Sequence, residues 1–284
     1  MTWHLTEDPE AFRAAVGEYL AAASARNTVL LTQLDVPGTR GWWTDPVDGR
    51  VTGAFMVPSP GPGPGRWAPV LGTMPDAAAH ALATRLSDTA SFADVRGVRD
   101  ARGIRGVRGE SGTVEVFVAA LGRRPVRTRR MRLFRLGALT PPHPAPPGRA
   151  RVAGPEDVPL GVAWMREFAR DIGEDPDADY TANVEGRVAG ARLHLWEVAG
   201  EPVAMASVSR LVVGQARVSP VYTPPAHRAR GYGGAVTSAV SRKALDEGAG
   251  QVLLFTDLAN PTSNALYQRL GYRPIGEHSA VEFD

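Results

Sequence analysis

Arg228, Gly231 and Gly233 stand at R-x-x-G-x-G spacing inside Val221 to Ala235, VYTPPAHRARGYGGA. An extended apolar segment runs into Pro224-Pro225, a basic glycine-rich turn follows, and a helix-forming run begins at Tyr232. The first N–H groups of a helix have no intrahelical acceptors, and the helix dipole places partial positive charge beside them. Glycines let an anion come close to that backbone, and arginines add full charges. Such a strand-to-helix junction suits the diphosphate of a nucleotide-like ligand. It is neither of two common diphosphate sites. A dinucleotide-binding turn would read G-x-G-x-x-G after a buried strand, with an acid about 20 residues on. A P-loop would need Gly-Lys-Ser/Thr, and the only lysine of the chain is Lys243.

A second segment narrows the chemistry. Val252 to Phe255 reads as a short buried strand, followed by TDLANPTSNALYQRLGY from Thr256 to Tyr272. Pro261 suits the first turn of a helix and Asn260 its N-cap. Ala265, Leu266, Arg269 and Leu270 share one turn-spaced face, and Gly271 suits the C-terminal cap.

The two segments, in this order, resemble the GNAT acetyltransferase superfamily. Its pattern is a strand, a Q/R-x-x-G-x-G/A turn and a helix, then a strand and an N-x-x-A-x-x-x-Y-x-x-x-G-F/Y segment. The second pattern is matched by Asn260 or Asn264, then Ala265, Tyr267, Gly271 and Tyr272, with the spacing from Asn264 a residue or two tighter. The resemblance covers residues 149–284 and is to actinobacterial members with an extra N-terminal domain. Arginine in place of lysine, with abundant Ala, Gly and Pro, agrees with such a source.

The resemblance implies an α/β fold of mixed α+β character, with a mixed, splayed central sheet. It implies an acyl-CoA-dependent N-acyltransferase that moves acetyl from acetyl-CoA to a primary amine by direct attack, with no metal. Val221, Tyr222 and Thr223 would meet the pantetheine arm through the main chain. Ala229, Arg230, Gly231, Tyr232, Gly233 and Gly234, with Arg228, would hold the pyrophosphate. Asn260 and Asn264 would contact the arm, and Tyr267 would be the general acid for the departing sulfur. The acceptor would be a small-molecule amine or a peptide or protein amine. The base stays open among Glu167, Glu197, His194 and Glu282, because Ser219 to Val221 offers no carboxylate. Asp257 reads as a residue that orders the turn before a helix. Two other classes of function stand beside this one. A catalytically silent CoA-binding regulatory module is opposed by the presence of Asn264 and Tyr267. A nucleic-acid-associated modifier rests on the arginines described next.

Arg96, Arg99, Arg102, Arg105 and Arg108 recur at every third residue, and Arg123 to Arg135 adds a further cluster. No aromatic interleaves the repeat for base stacking, so it reads as a solvated, glycine-loosened loop and disfavours nucleic acid. The formal net charge is only +2. The chain has 284 residues, 43% of them hydrophobic, enough for two ordinary domains. No apolar run approaches the ~18 residues that cross a bilayer. MTWHLTEDPEAF has no basic stretch leading into an apolar one, and cysteine is absent. The expectation is a cytoplasmic protein without membrane partners, disulfides or thiolate chemistry.

Leu139 to Gly148, LTPPHPAPPG, carries five prolines in ten residues and reads as a linker at 139–148. It separates a smaller α/β domain at 1–138 from the acyltransferase domain at 149–284. The order of elements in 1–138 is compatible with a degenerate GNAT-like copy, by analogy of fold alone. There, helices are expected over Pro9–Ala25 and Asp76–Leu86, and strands over Val51–Val57 and Val126–Leu136. Val29–Leu34 is of open type, and Val114–Val118 fits a strand or a helix. The PSPGPGPG loop after Val57 is a candidate lid or a plain turn. In 149–284 the expectation is a strand at Arg149, helices over 155–172 and 177–188, and a hairpin over Leu193–Val198 and Pro202–Ser209. A central strand over Ala216–Thr223 follows, then a helix over Tyr232–Glu247, a strand over Gln251–Phe255, a helix over Asn260–Leu270 and a strand over Glu277–Phe283.

Overall fold

The computed structural model describes residues 2–59, 68–87 and 104–284. The chain is a mixed α/β protein. It divides into two compact units, one of residues 1–133, 257–259 and 275–284, the other of 134–256 and 260–274.

In the first unit the chain runs β1 (Thr2–Thr6), α1 (Pro9–Ala22), α2 (Thr28–Thr32), β2 (Gly38–Thr44), β3 (Val51–Pro58), β4 (Val70–Leu71), α3 (Asp76–Ser87), β5 (Gly106–Glu110) and α4 (Ser111–Leu121), then enters β6 (Arg127–Leu136). Strand β1 pairs with β2, β2 with β3 and β3 with β4, all antiparallel, and β4 meets β5 in parallel. The end of the last strand, β12 (Tyr272–Glu282), pairs antiparallel with β5 from His278↔Glu110 to Glu282↔Gly106. Helix α1 starts where its pattern says it should. Asp8 accepts from the Glu10 N–H at 2.8 Å, and Pro9 fills the first position. Trp3, Trp43, Phe55, Leu82 and Phe117 join one core, each such side chain contributing about 1.5–3 kcal/mol when fully buried.

Two segments of open type are assigned in this unit, and one expectation is corrected. Residues 28–32 are the short helix α2. Val114–Val118 lies in helix α4, closed by Gly122 in the left-handed region. The arginine repeat is only partly a loop, since Arg108 lies in β5. Gly106 and Gly109 are there for close packing: a Cβ on Gly106 would stand 2.5 Å from the Val281 carbonyl oxygen, and one on Gly109 would stand 2.8 Å from that of Leu71. Arg96, Arg99, Arg102 and most of the PSPGPGPG loop lie outside the described residues. Strands β1, β2, β4 and β5 were not expected.

The second unit runs β7 (Arg149–Val152), a 3-10 turn (Pro155–Asp157), α5 (Val158–Ile172), α6 (Thr181–Ala189), β8 (Leu193–Val198), β9 (Glu201–Val208), β10 (Gln215–Tyr222), a second 3-10 turn (Pro225–His227), α7 (Tyr232–Asp246), β11 (Gln251–Asp257) and α8 (Pro261–Arg269). Its sheet order is β7-β8-β9-β10-β11, antiparallel except for the parallel β10–β11 pair. Trp164, Val184, Leu193, Leu195 and Met205 pack on one face of the sheet with α5 and α6. Val218, Val236, Val240, Val252 and Leu254 pack on the other face with α7. A bidentate contact from Arg151 to Asp157, with Arg151 Nε on Glu197 at 2.5 Å, ties β7 to the start of α5 and to β8. Strand β12 begins at Tyr272, five positions ahead of the expected Glu277, because Tyr272 is a core residue of this unit.

Candidate active site

Strands β10 and β11 pair only over their first halves. The parallel ladder runs from Gln215↔Gln251 to Val218↔Leu254 and stops, although β10 continues to Tyr222 and β11 to Asp257. On its other side β10 pairs Val218↔Val208 and then Val221↔Ala206, so it carries one extra residue at Ser219-Pro220. Such a bulge reverses the alternation of the strand beyond it. Ala216 and Val218 face the α7 core; after the bulge Val221 packs on that core, and Tyr222 turns to the α5–α6 core. The bulge therefore bends the end of β10 away and leaves its edge toward β11 without ladder partners.

At that end the chain turns through Pro224, in extended geometry, and the Pro225–His227 turn into α7. Ala229 (φ 60) and Gly231 (φ 83) are in the left-handed region, which aims successive N–H groups into one concavity. Among the described residues none accepts from the backbone N–H groups of Ala229, Arg230, Gly231, Tyr232, Gly233 or Gly234. The first N–H with a backbone acceptor is that of Ala235, which donates to the Gly231 carbonyl at 3.0 Å. No side chain caps α7. The proline-rich stretch passes alongside: a Cβ on Gly231 would stand 3.6 Å from Pro146 Cβ, and one on Gly234 would stand 3.6 Å from Pro142 Cγ.

The two arginines of the turn differ. Arg228 donates from Nε to the Thr223 carbonyl at 2.9 Å and from Nη2 to Asp171 at 2.5 Å, and its guanidinium lies 5.9 Å from the centre of the Tyr222 ring. It orders the turn before any ligand arrives. Arg230 is exposed and makes no ion pair with a described residue.

Helix α8 is set against this junction. A Cβ on Gly234 would stand 2.9 Å from Leu266 Cδ1. Asn260 caps the helix, accepting from the Ser263 N–H at 3.0 Å, and buried Asn264 donates from Nδ2 to the Asn260 carbonyl at 2.7 Å. Asp257 accepts from the Ala259 N–H at 2.8 Å, the turn-ordering role its position suggests. Tyr267 is buried edge-on to Tyr272, ring centres 6.1 Å apart. Burial pushes its hydroxyl up to about 12, so it stays protonated and suits proton donation. Tyr272 bonds the Ser241 hydroxyl at 2.6 Å.

The four candidate bases are dispersed. Glu197 is engaged by Arg151, and Glu282 lies in β12 within 4.0 Å of Arg127. His194 is buried in β8, in one cross-strand row with Ala206 and Val221, and burial, then the charge of Lys243, lowers its pKa. Glu167 accepts from the Tyr222 hydroxyl at 2.7 Å, an α5-to-β10 link that spacing in the sequence does not reveal. Among the described residues no group of three or more His, Cys, Asp or Glu is placed to hold a metal ion, and no helix is long and apolar enough to cross a membrane.

The parallel strand pair thus parts beside a helix start whose first N–H groups have no acceptor among the described residues. The Acetyltransferase (GNAT) family model matches residues 159–272, and the chain carries a GNAT acetyltransferase domain there. Solved structures agree in fold over nearly the whole chain. A GCN5-related N-acetyltransferase from Sphaerobacter thermophilus superposes with a TM-score of 0.68 at 17% identity, covering 98% of this chain and 94% of that one. A GNAT-family acetyltransferase from Colwellia psychrerythraea gives 0.62 at 14% identity, covering 100% of each. A tandem GNAT protein from the clavulanic acid biosynthesis pathway gives 0.57 at 13% identity, covering 99% and 98%. No curated protein matches the sequence.

Proposed function

We propose that the second unit is an N-acyltransferase that moves acetyl from acetyl-CoA to a primary amine. The observation that carries this reading is the unpartnered run of N–H groups from Ala229 to Gly234 beside the parted end of β10. These donors, with Arg230, would hold the pyrophosphate. The free edge at Val221, Tyr222 and Thr223 would take the pantetheine arm as an added strand. Asn260 fixes the start of α8, and Asn264 would meet the arm from there. Once bound, the co-substrate supplies an acetyl thioester.

The chain's part is to position that thioester against an amine and to manage protons. The amine nitrogen forms a bond to the acetyl carbonyl carbon, and the carbon–sulfur bond breaks. Sulfur takes its proton from the Tyr267 hydroxyl, the amine gives one to solvent, and solvent restores Tyr267. With no cysteine in the chain, no acyl-thiol on the protein is required. The fit of a tandem GNAT structure along 99% of the chain supports reading residues 1–138 as a degenerate GNAT-like copy joined through 139–148 to the domain at 149–284. The test is thiol release from acetyl-CoA across a panel of primary amines. Release that depends on amine is expected; binding of CoA without release for any amine would reduce the unit to a coenzyme-binding module.

A further inference from the structure

Arg187, on α6, is a cation fixed in place without a counter-ion. Its Nε donates to Asn183 Oδ1 at 2.8 Å, and its Nη1 donates to Ser207 Oγ at 2.8 Å and to the Ser219 carbonyl at 2.6 Å. All three acceptors are neutral. Nη2 donates to no described residue, and no described carboxylate pairs with this guanidinium. Arg151 and Arg228 of the same unit are both answered by carboxylates. Burial, then the like charge of Arg192, pushes the pKa of Arg187 down to about 10. Partly desolvating a charge and leaving it unanswered is costly, so such a group marks a place where a ligand supplies the missing partner.

Its position says which ligand. Ser219 is the exposed bulge residue of β10, the first beyond the last parallel pair, Val218↔Leu254. Arg187 thus holds the strand where the pair parts, and Ser219 is two residues, or about 7 Å at strand rise, from Val221. Capping the Ser219 carbonyl uses Nη1 alone and leaves both Nη2 hydrogens and the net charge unspent. We propose that Arg187 binds a carboxylate of the acceptor, so that the acceptor is a small amino carboxylate whose amine reaches the thioester between β10 and β11. A planar guanidinium held by its other nitrogens is pre-organised for a carboxylate. The proposal rests on the acyl-transfer reading of this unit and adds the class of acceptor to it.

The experiment compares free amino acids with their carboxamides as acceptors of acetyl from acetyl-CoA, read as thiol release, in the wild type, Arg187→Gln and Arg187→Lys. CoA affinity is measured by calorimetry on the same samples. In the wild type, kcat/KM for the carboxylate is expected to exceed that for the carboxamide at least tenfold. The amine of a carboxamide is less basic and more often unprotonated, so basicity works against this preference. Arg187→Gln is expected to raise KM for the carboxylate about 10- to 100-fold, the worth of a charged hydrogen bond, and KM for the carboxamide by much less, so that the wild-type preference collapses. Arg187→Lys keeps part of the preference. Equal wild-type rates for the two acceptors would overturn the inference whether or not a variant folds, as would a Gln variant that slows both alike. No thiol release with any amine, together with no heat from CoA, would overturn the acyl-transfer reading and this inference with it.

Discussion

Tyr267 and the turn residues, the proposed site, differ in what holds them. Tyr267 is fixed by burial alone: its hydroxyl is raised to about 12 because the ionised form would lose solvation. Tyr267→Phe should lower kcat about 100-fold, the usual worth of a positioned acid, while the Kd for CoA stays within twofold by calorimetry. Because an acid must be protonated to donate, a raised pKa extends activity upward. The wild-type kcat should show no loss from this group between about pH 7 and 10, and a fall within that range that disappears in the Phe variant would refute the role. The placement of these residues, at the start of α7 and on α8, was legible from their types and spacing. The pinning of Arg228 by Thr223 and Asp171, and the hold of Glu167 on the Tyr222 hydroxyl, were not, since each joins residues from different elements.

Helices α7 and α8 were legible from end signals: Gly231 before one, Asn260-Pro261 opening the other. Strand β2 was not, because Arg40 is buried in its middle, its guanidinium spread over the carbonyls of Glu7, Leu34, Val36 and Gly38, so the polar residue breaks the apolar pattern from inside. Helix α4 was ambiguous because VEVFV alternates, and only its packing through Val114 and Phe117 chooses the helix. Two predictions belong to this scale. Gly234→Val would drive a Cβ to 2.9 Å from Leu266 Cδ1, and the branched side chain would force Leu266, one residue from Tyr267, out of its place. It should cost about 1–3 kcal/mol of stability by urea unfolding and lower kcat more than it weakens CoA binding, since α8 carries Tyr267. Asp157→Asn breaks the charged bond that ties α5 to β7 and should cost about 2 kcal/mol at pH 7. The Asp157 carboxyl lies below its ordinary 3.8, Arg151 being the main cause, so its contribution is complete above that value and is lost as pH falls through the folded-state pKa. The gap in stability between wild type and variant should therefore close on acidification below about pH 4; a gap constant with pH would contradict this pairing.

At the scale of the whole molecule, the strands of the second unit stay paired from β7 through β10, with bulges in the β8–β9 and β9–β10 ladders, and part at the parallel step. The order of elements and a mixed, splayed sheet followed from the likeness to the family, but the cause of the opening did not. One inserted residue at Ser219-Pro220 flips Tyr222 to the opposite core, and its one local trace is Pro220, which has no N–H for the ladder and marks a bulge or an edge alike. The opening and the bare start of α7 together make the case for a coenzyme with both a diphosphate and an extended arm. Calorimetric titration of the whole chain with CoA, and separately with pantetheine, which lacks the diphosphate, tests this most directly. The account expects saturable heat with CoA, weakened at least tenfold for pantetheine, and stabilisation of about 2.7 kcal/mol when CoA stands at 100 times its Kd. No heat and no thermal protection at saturating CoA, or equal affinity for pantetheine, would contradict it.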